Sequence, residues 1–249
     1  MMAQDTCLLI DNSNTRTKFA LGTADGVGEV RILPTAELTA GGIRELLADW
    51  SFGRACACSV VPSCREVIAA ALDGISLRWV EAASESAVDF LSYPGVATLG
   101  ADRVANALAA VALAPLPLVA VDLGTATTFE VVVQGDGRPR FAGGIIAPGY
   151  QPFAACLPAS TAQLPPVVWR SGGPCIGRNT REAMTAGVVA GYAGMLDSLL
   201  AGIEREIGEP VHVLFTGGDA AAFAPLLHHA VTVVPGLTLQ GLARAAGLP

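Results

Sequence analysis

The sequence predicts an α/β protein made of two copies of one unit, each opening on a β-meander and continuing as alternating helices and strands. Three observations predict it. Cys7 to Leu21 reads CLLI, then Asp11, then a polar turn and a second strand, and Leu118 to Val133 repeats that layout as LVAV, Asp122, a turn and TTFEVVV. Each strand pair then runs through a glycine-bearing turn, Ala24 to Gly28 or Gln134 to Gly137, into a third strand, Glu29 to Leu33 or Arg138 to Ile146. Beyond each meander, helical and extended patterns alternate.

In the first half, helical periodicity is expected over Gly41 to Trp50, Pro62 to Leu72 and Asp102 to Leu113, with short apolar strands at Ala55 to Val60 and Leu77 to Glu81. In the second half, helices are expected over Arg181 to Ile207 and Ala220 to His228, with strands at Val211 to Phe215 and Val231 to Val234. The prolines Pro115 and Pro117 mark the boundary, which gives an N-terminal half over 1–115 and a C-terminal half over 116–249. Two such halves place two Asp-bearing turns across a central cleft. By pattern and by analogy this resembles the actin, hexokinase and Hsp70-type ATPase superfamily, with duplicated ribonuclease H-like domains around a nucleotide cleft.

Composition narrows the function. A chain of 249 residues with 52% hydrophobic and 15% charged residues has enough apolar surface for one large or two compact cores, which excludes disorder. The net charge of -7 repels phosphate backbones and anionic lipid, so neither nucleic-acid nor membrane-surface binding is expected. The longest apolar run, Val104 to Val121, contains Asn106, Pro115 and Pro117 and reads as a buried helix followed by a buried strand. The N-terminus has no basic segment followed by a long apolar one, so no signal peptide is expected. Cys7, Cys56, Cys58, Cys64, Cys156 and Cys175 are scattered without zinc-ligand spacing, and they read as reduced thiols of a cytoplasmic protein. His212, His228 and His229 are assigned no chemistry.

The two turns carry the chemistry. Phosphate cradles need successive backbone N–H groups and hydroxyls at a tight turn, because these hold an anion without adding mobile charge. DNSNT at 11–15 and DLGTATT at 122–128 supply both. One such turn alone reads as an ordinary hairpin connection; its repetition after equivalent strands points to phosphate. Lys18, the only lysine, follows the first turn and reads equally as a point charge toward phosphate or as a solvated strand lysine. No Walker A pattern and no G-x-G-x-x-G opening a helix is present, so the nucleotide is not held by a P-loop or a Rossmann turn.

At these residues the chain resembles the type III pantothenate kinases. Their first phosphate motif, Asp-x-Gly-Asn-Thr, is matched by Asp11 to Thr15, and their second, Asp-x-Gly-Thr-Ala-x-Thr, by Asp122 to Thr128. Their substrate motif stands intact as Gly100, Ala101, Asp102 and Arg103. Further echoes follow in family order, among them Ser59 to Pro62, Gly143 to Gly149, Ile176 to Thr180, Thr216 to Gly218 and Gly241 to Leu242, and together they cover nearly the whole chain.

The resemblance implies transfer of the γ-phosphate of ATP, with Mg²⁺, to the hydroxyl of pantothenate, the first step of coenzyme A synthesis. It implies Asp102 as general base, a residue that could equally cap a helix starting at Arg103. Arg103 is implied as a clamp on substrate or phosphate, and Gly100, Ala101 and Tyr93 as further substrate positions. Thr180 is implied as the substrate threonine, although Asn179 and Glu182 also make a capping pair there. Asp11, Asn12, Ser13, Asn14, Thr15, Arg16, Thr17, Lys18 and Thr125 are the implied nucleotide contacts, and Asp122 the implied ligand of a monovalent cation, K⁺ or NH₄⁺. A homodimer is also implied.

Two positions depart from the family. Ser13 replaces a glycine, which imposes a steric cost wherever that position needs positive φ or a close approach to phosphate. The family's Tyr-x-Asn-Pro appears as Tyr93-Pro94 without the asparagine. Two rival readings follow, a sugar or small-acid kinase of the same fold and a non-catalytic regulator. Gly-Ala-Asp-Arg with Tyr93 speaks against the first, and intact Asp102, Arg103 and Asp122 against the second.

Overall fold

The computed structural model describes residues 6–167, 169 and 175–249. Residues 1–5, on which the reading of the N-terminus partly rests, lie outside the described residues.

The first half forms β1 (Cys7–Asn12), β2 (Arg16–Thr23), β3 (Gly26–Pro34), α1 (Ala40–Leu46), β4 (Arg54–Ser59), α2 (Pro62–Ala71), β5 (Ser76–Trp79) and α3 (Ala101–Leu113). Its sheet runs β3-β2-β1-β4-β5. β1 pairs antiparallel with β2 and parallel with β4, and a strand so enclosed is buried at every residue, which is why CLLI reads as an unbroken apolar run. Leu8, Ile10 and Phe19 meet Ile43 of α1 and Ile68 of α2 in one core.

The second half forms β6 (Leu118–Leu123), β7 (Ala126–Gln134), β8 (Pro139–Pro148), α4 (Tyr150–Ser160), α5 (Thr180–Ile207), β9 (His212–Thr216), α6 (Ala220–Phe223), β10 (Val231–Val233) and α7 (Leu237–Ala245). Its sheet order, β10-β9-β6-β7-β8, is that of the first sheet, with β6 in the place of β1. The duplication therefore extends to the strand order.

The chain gathers into two compact units. One contains the residues up to Leu116 together with Glu130–Gly143 and Gly236–Pro249; the other contains Pro117–Phe129 and Gly144–Pro235. The outer part of the β7–β8 hairpin and α7 thus belong with the N-terminal elements.

Within the first unit α7 holds α3 at close range. A Cβ on Gly241 would overlap the carbonyl of Ala105, so only glycine permits this approach, and Thr238 Oγ1 donates to Asn106 Oδ1 at 2.9 Å between the two buried side chains. The helix that presents Asp102 and Arg103 is thereby fixed from behind. Within the second unit α5 buries Met184, Val188, Tyr192, Leu196 and Leu200, a ridge at four-residue spacing. Among the described residues α5 is the one helix long and apolar enough to cross a membrane, and this buried ridge is the pattern of a core helix.

Several elements differ from the sequence expectation. α4 and α7 are not foreseen: α4 carries Pro152 and Pro158, and α7 begins at Gly236 without a side-chain cap and contains Gly241. The helix expected over Ala220 to His228 is a single α-turn at Ala220–Phe223 followed by a 3₁₀ turn at Ala224–Leu226, with Pro225 closing off the α-helical bonding. α3 begins at Ala101 with Gly100 as its N-cap, so Asp102 lies inside the first turn and is not the cap.

Candidate active site

The pairing of β1 with its neighbours builds the first part of the site. Asp11 at the end of β1 stands opposite Lys18 of β2 and opposite Cys58 of β4, and residues directly across a ladder share a face. Lys18 Nζ donates to Asp11 Oδ2 at 2.8 Å, Ser13 Oγ donates to Oδ1 at 2.8 Å, and Cys58 Sγ approaches Oδ1 at 3.8 Å. The carboxylate is buried, so these donors replace its hydration. Burial, followed by the charges of Asp11 and Asp102, pushes the Cys58 thiol well above its ordinary value. Cys58 is therefore neutral and donates its S–H. All six cysteines are free thiols, four of them buried.

The β1–β2 turn closes on its own polar residues. Asn12 Nδ2 donates to Thr17 Oγ1 at 2.8 Å, Ser59 Oγ donates to Asn12 Oδ1 at 2.6 Å, and Thr35 Oγ1 donates to the Ser13 carbonyl at 2.7 Å. Asn12 and Thr17 are buried in this network, whereas Asn14, Thr15 and Arg16 form the exposed tip. No described residue other than glycine has a positive φ, so Ser13 carries no left-handed strain. The cost that a positive φ would impose on serine is therefore absent, and its hydroxyl orients Asp11.

Asp102 enters the same unit from the N-terminus of α3, where a carboxylate is favoured by the helix dipole. Its Oδ1 accepts the N–H of Arg103 at 2.8 Å, and a Cβ on Gly100 would come within 2.6 Å of that oxygen. Burial raises the pKa of Asp102 above its ordinary value; the Arg103 N–H works against that rise and the nearby Asp11 charge adds to it. Two carboxylates and Lys18 thus share one electrostatic environment.

Arg103 Nε donates to Glu130 Oε1 at 2.8 Å, and its guanidinium lies 5.8 Å from the ring centre of Phe141. Phe141 also meets Tyr93 edge-on at 5.2 Å and Phe90 at 5.6 Å. The Tyr93 loop is tied to β8 by Asp89 N–H to the Pro139 carbonyl at 2.7 Å and Phe141 N–H to the Asp89 carbonyl at 3.0 Å. The structure therefore gathers Tyr93, Gly100, Ala101, Asp102 and Arg103, all of them expected, around Glu130 and Phe141, which the sequence reading passed over as strand residues. The available signal was a carboxylate inside the apolar run FEVVV, because a buried strand rarely carries a charge without a partner.

The other expected residues lie in the second unit. Asp122 is the last residue but one of β6; a Cβ on Gly217, whose φ is +93°, would lie 2.6 Å from Asp122 Oδ1. Thr125 is exposed in the β6–β7 turn, and its carbonyl accepts the N–H of Gly149 at 3.2 Å. A Cβ on Gly149 would collide with the carbonyls of Gly124 and Thr125, which accounts for that glycine. Thr180 is the exposed first residue of α5, capped by Asn179, whose Oδ1 accepts the Glu182 N–H at 3.0 Å.

The family model described as type III pantothenate kinase matches residues 7–202. A type III pantothenate kinase of Akkermansia muciniphila is 39% identical over 244 residues, covering 98% of this chain and 99% of that protein. Among solved structures, a Baf family protein from Campylobacter jejuni superposes with a TM-score of 0.61 at 18% identity, covering 96% of this chain and 98% of that one. The inorganic polyphosphate/ATP-glucomannokinase from Arthrobacter sp. strain KM superposes with a TM-score of 0.51 at 16% identity, covering 98% and 99%. These place the fold among the actin-like ATPases and sugar kinases. With most of its length matched by the family model and its Gly-Ala-Asp-Arg motif opening α3, the chain belongs to the type III pantothenate kinase family.

Proposed function

We propose that this protein phosphorylates pantothenate with ATP, giving 4'-phosphopantothenate for coenzyme A synthesis, and that Asp102 is the general base. The observation that carries this reading is the Asp102 carboxylate, fixed through Oδ1 by the Arg103 N–H and set in the same environment as Asp11 and Lys18. Oδ2 then takes the proton of the attacking hydroxyl. Its raised pKa makes it a better base than a solvated aspartate. Lys18 and the turn amides at Asn14 and Thr15 meet the charge on the phosphoryl oxygens and Arg103 meets the acceptor, since the protein's share of such a transfer is positioning and charge stabilisation.

Among the described residues no group of three or more His, Cys, Asp or Glu is placed to hold a metal by itself. That fits a divalent ion carried on the nucleotide's phosphates, with Asp11 and Asp102 as the protein's nearby carboxylates. Such an ion, when bound, neutralises phosphate charge. For the monovalent cation, Asp122 is the proposed ligand, its Oδ1 lying against the glycines Gly124 and Gly217, which leave room beside it. A homodimer is proposed from the apolar composition and from the exposure of Ile146 and Leu157. A cytoplasmic location is proposed from the free thiols. No nucleic-acid or membrane partner is proposed for so acidic a chain.

The test is ADP release with and without pantothenate, in K⁺ and in Na⁺. Pantothenate-dependent release that falls in Na⁺ is expected; release independent of pantothenate would favour an ATPase or another acceptor.

A further inference from the structure

The β7–β8 hairpin supplies two side chains that touch the acceptor residues without belonging to any motif. Glu130 is fully buried, and its Oε1 takes the Nε–H of Arg103, itself largely buried. A buried ion pair adds little net stability over a well-packed apolar pair, because desolvating both charges offsets their attraction. What the pair does fix is direction: a guanidinium is planar, and a bond through Nε sets the orientation of its whole fork. The Phe141 ring centre lies 5.8 Å from this guanidinium and the ring meets Tyr93 edge-on at 5.2 Å, so one strand residue neighbours both the cation and the aromatic. Arg138, also on this hairpin, binds the Ser86 carbonyl at 3.1 Å and Asp89 Oδ1 at 3.3 Å, which anchors the loop that carries Tyr93.

We propose that Glu130 is a positioning residue of the acceptor site, acting through Arg103 to set the orientation in which its guanidinium meets the substrate. The inference rests on the pantothenate kinase reading for its kinetic consequence, and on the Glu130–Arg103 geometry alone for its physical one.

The experiment uses the full chain with Glu130→Gln, which keeps the shape and removes the charge, and Glu130→Asp, which keeps the charge and withdraws it by one methylene. Glu130→Gln is expected to raise KM for pantothenate by about ten- to a hundredfold, the range for losing a charge-assisted hydrogen bond, while KM for ATP stays within about twofold. Glu130→Asp should give a smaller rise in a protein that melts like the wild type, and it serves in place of Glu130→Gln if that variant does not fold. In an Arg103→Ala background the Glu130 substitution should add nothing, because its effect passes through Arg103. An unchanged pantothenate KM, a parallel rise for ATP, or an undiminished effect in the Arg103→Ala background would overturn the inference. A substrate-free readout separates this from failure of the kinase reading: the Arg103 Nε–H should exchange slowly with solvent in the wild type and quickly in Glu130→Gln. Fast exchange in the wild type would overturn the positioning role, whereas absence of pantothenate-dependent ADP release would sink only the substrate assignment.

Discussion

Ser13 Oγ donates to Asp11 Oδ1 at 2.8 Å, so the residue that replaces a family glycine has become a support for the carboxylate beside it. One neutral donor to a charged acceptor is worth about 1.5 kcal/mol, which is roughly tenfold in an equilibrium constant. Ser13→Ala is therefore expected to raise KM for ATP by about three- to tenfold with pantothenate KM unchanged. Ser13→Gly should behave similarly or worse, because it loses the same hydroxyl and frees the turn. An ATP KM that tightens in Ser13→Gly would show that serine crowds the phosphate after all.

Gly217 tests the second unit. Its positive φ and the closeness of Asp122 Oδ1 both forbid a side chain. Gly217→Ala should displace the Asp122 carboxylate and abolish the difference between K⁺ and Na⁺ in phosphoryl transfer. A variant that retains a normal cation response would remove Asp122 from that role.

Asp197 provides a structural prediction away from the chemistry. Burial pushes its pKa up, but the His229 ring and the N–H and ring of His228 outweigh burial and bring it down to about 2. A depressed folded pKa means stability that is present above the unfolded value and lost as pH falls through the folded one. The shift is worth on the order of 2 kcal/mol at neutral pH. Asp197→Asn should lower the melting temperature near neutrality, and its deficit should shrink below pH about 4. A deficit that does not change with pH would mean that packing, not charge, holds the residues after α6 onto α5.

Much of the fold was legible because its signals are local. The strand-Asp-turn-strand repeat is written in consecutive residues, and the six-residue buried strands β1 and β6 leave no alternation to misread. α7 was illegible because its stability comes from another helix: Gly241 is a poor helix former until the Ala105 carbonyl makes any larger residue impossible. The site divides in the same way. Gly100, Ala101, Asp102 and Arg103 form one contiguous motif, whereas Glu130 joins Arg103 from 27 residues away in the chain. Asn12 and Thr17 are among the nucleotide contacts the resemblance implies, yet their side chains close the turn itself, a division that depends on which face of the ladder each residue occupies.

The central claim is that Asp102 accepts the proton of the acceptor hydroxyl, and kcat of Asp102→Asn measured beside its melting temperature tests it most directly. Asparagine can still accept the Arg103 N–H through its side-chain oxygen. It cannot take a proton. Because the folded pKa of Asp102 is raised, its protonated form stabilises the fold below the unfolded pKa, and that contribution is lost as pH rises through the folded value. Asparagine has no charge to desolvate at this buried position, so the variant should melt at the same temperature as the wild type or higher. The account predicts a fall in kcat of about a hundredfold or more with nucleotide and pantothenate binding retained. Near-normal turnover in a stably folded Asp102→Asn protein would contradict it.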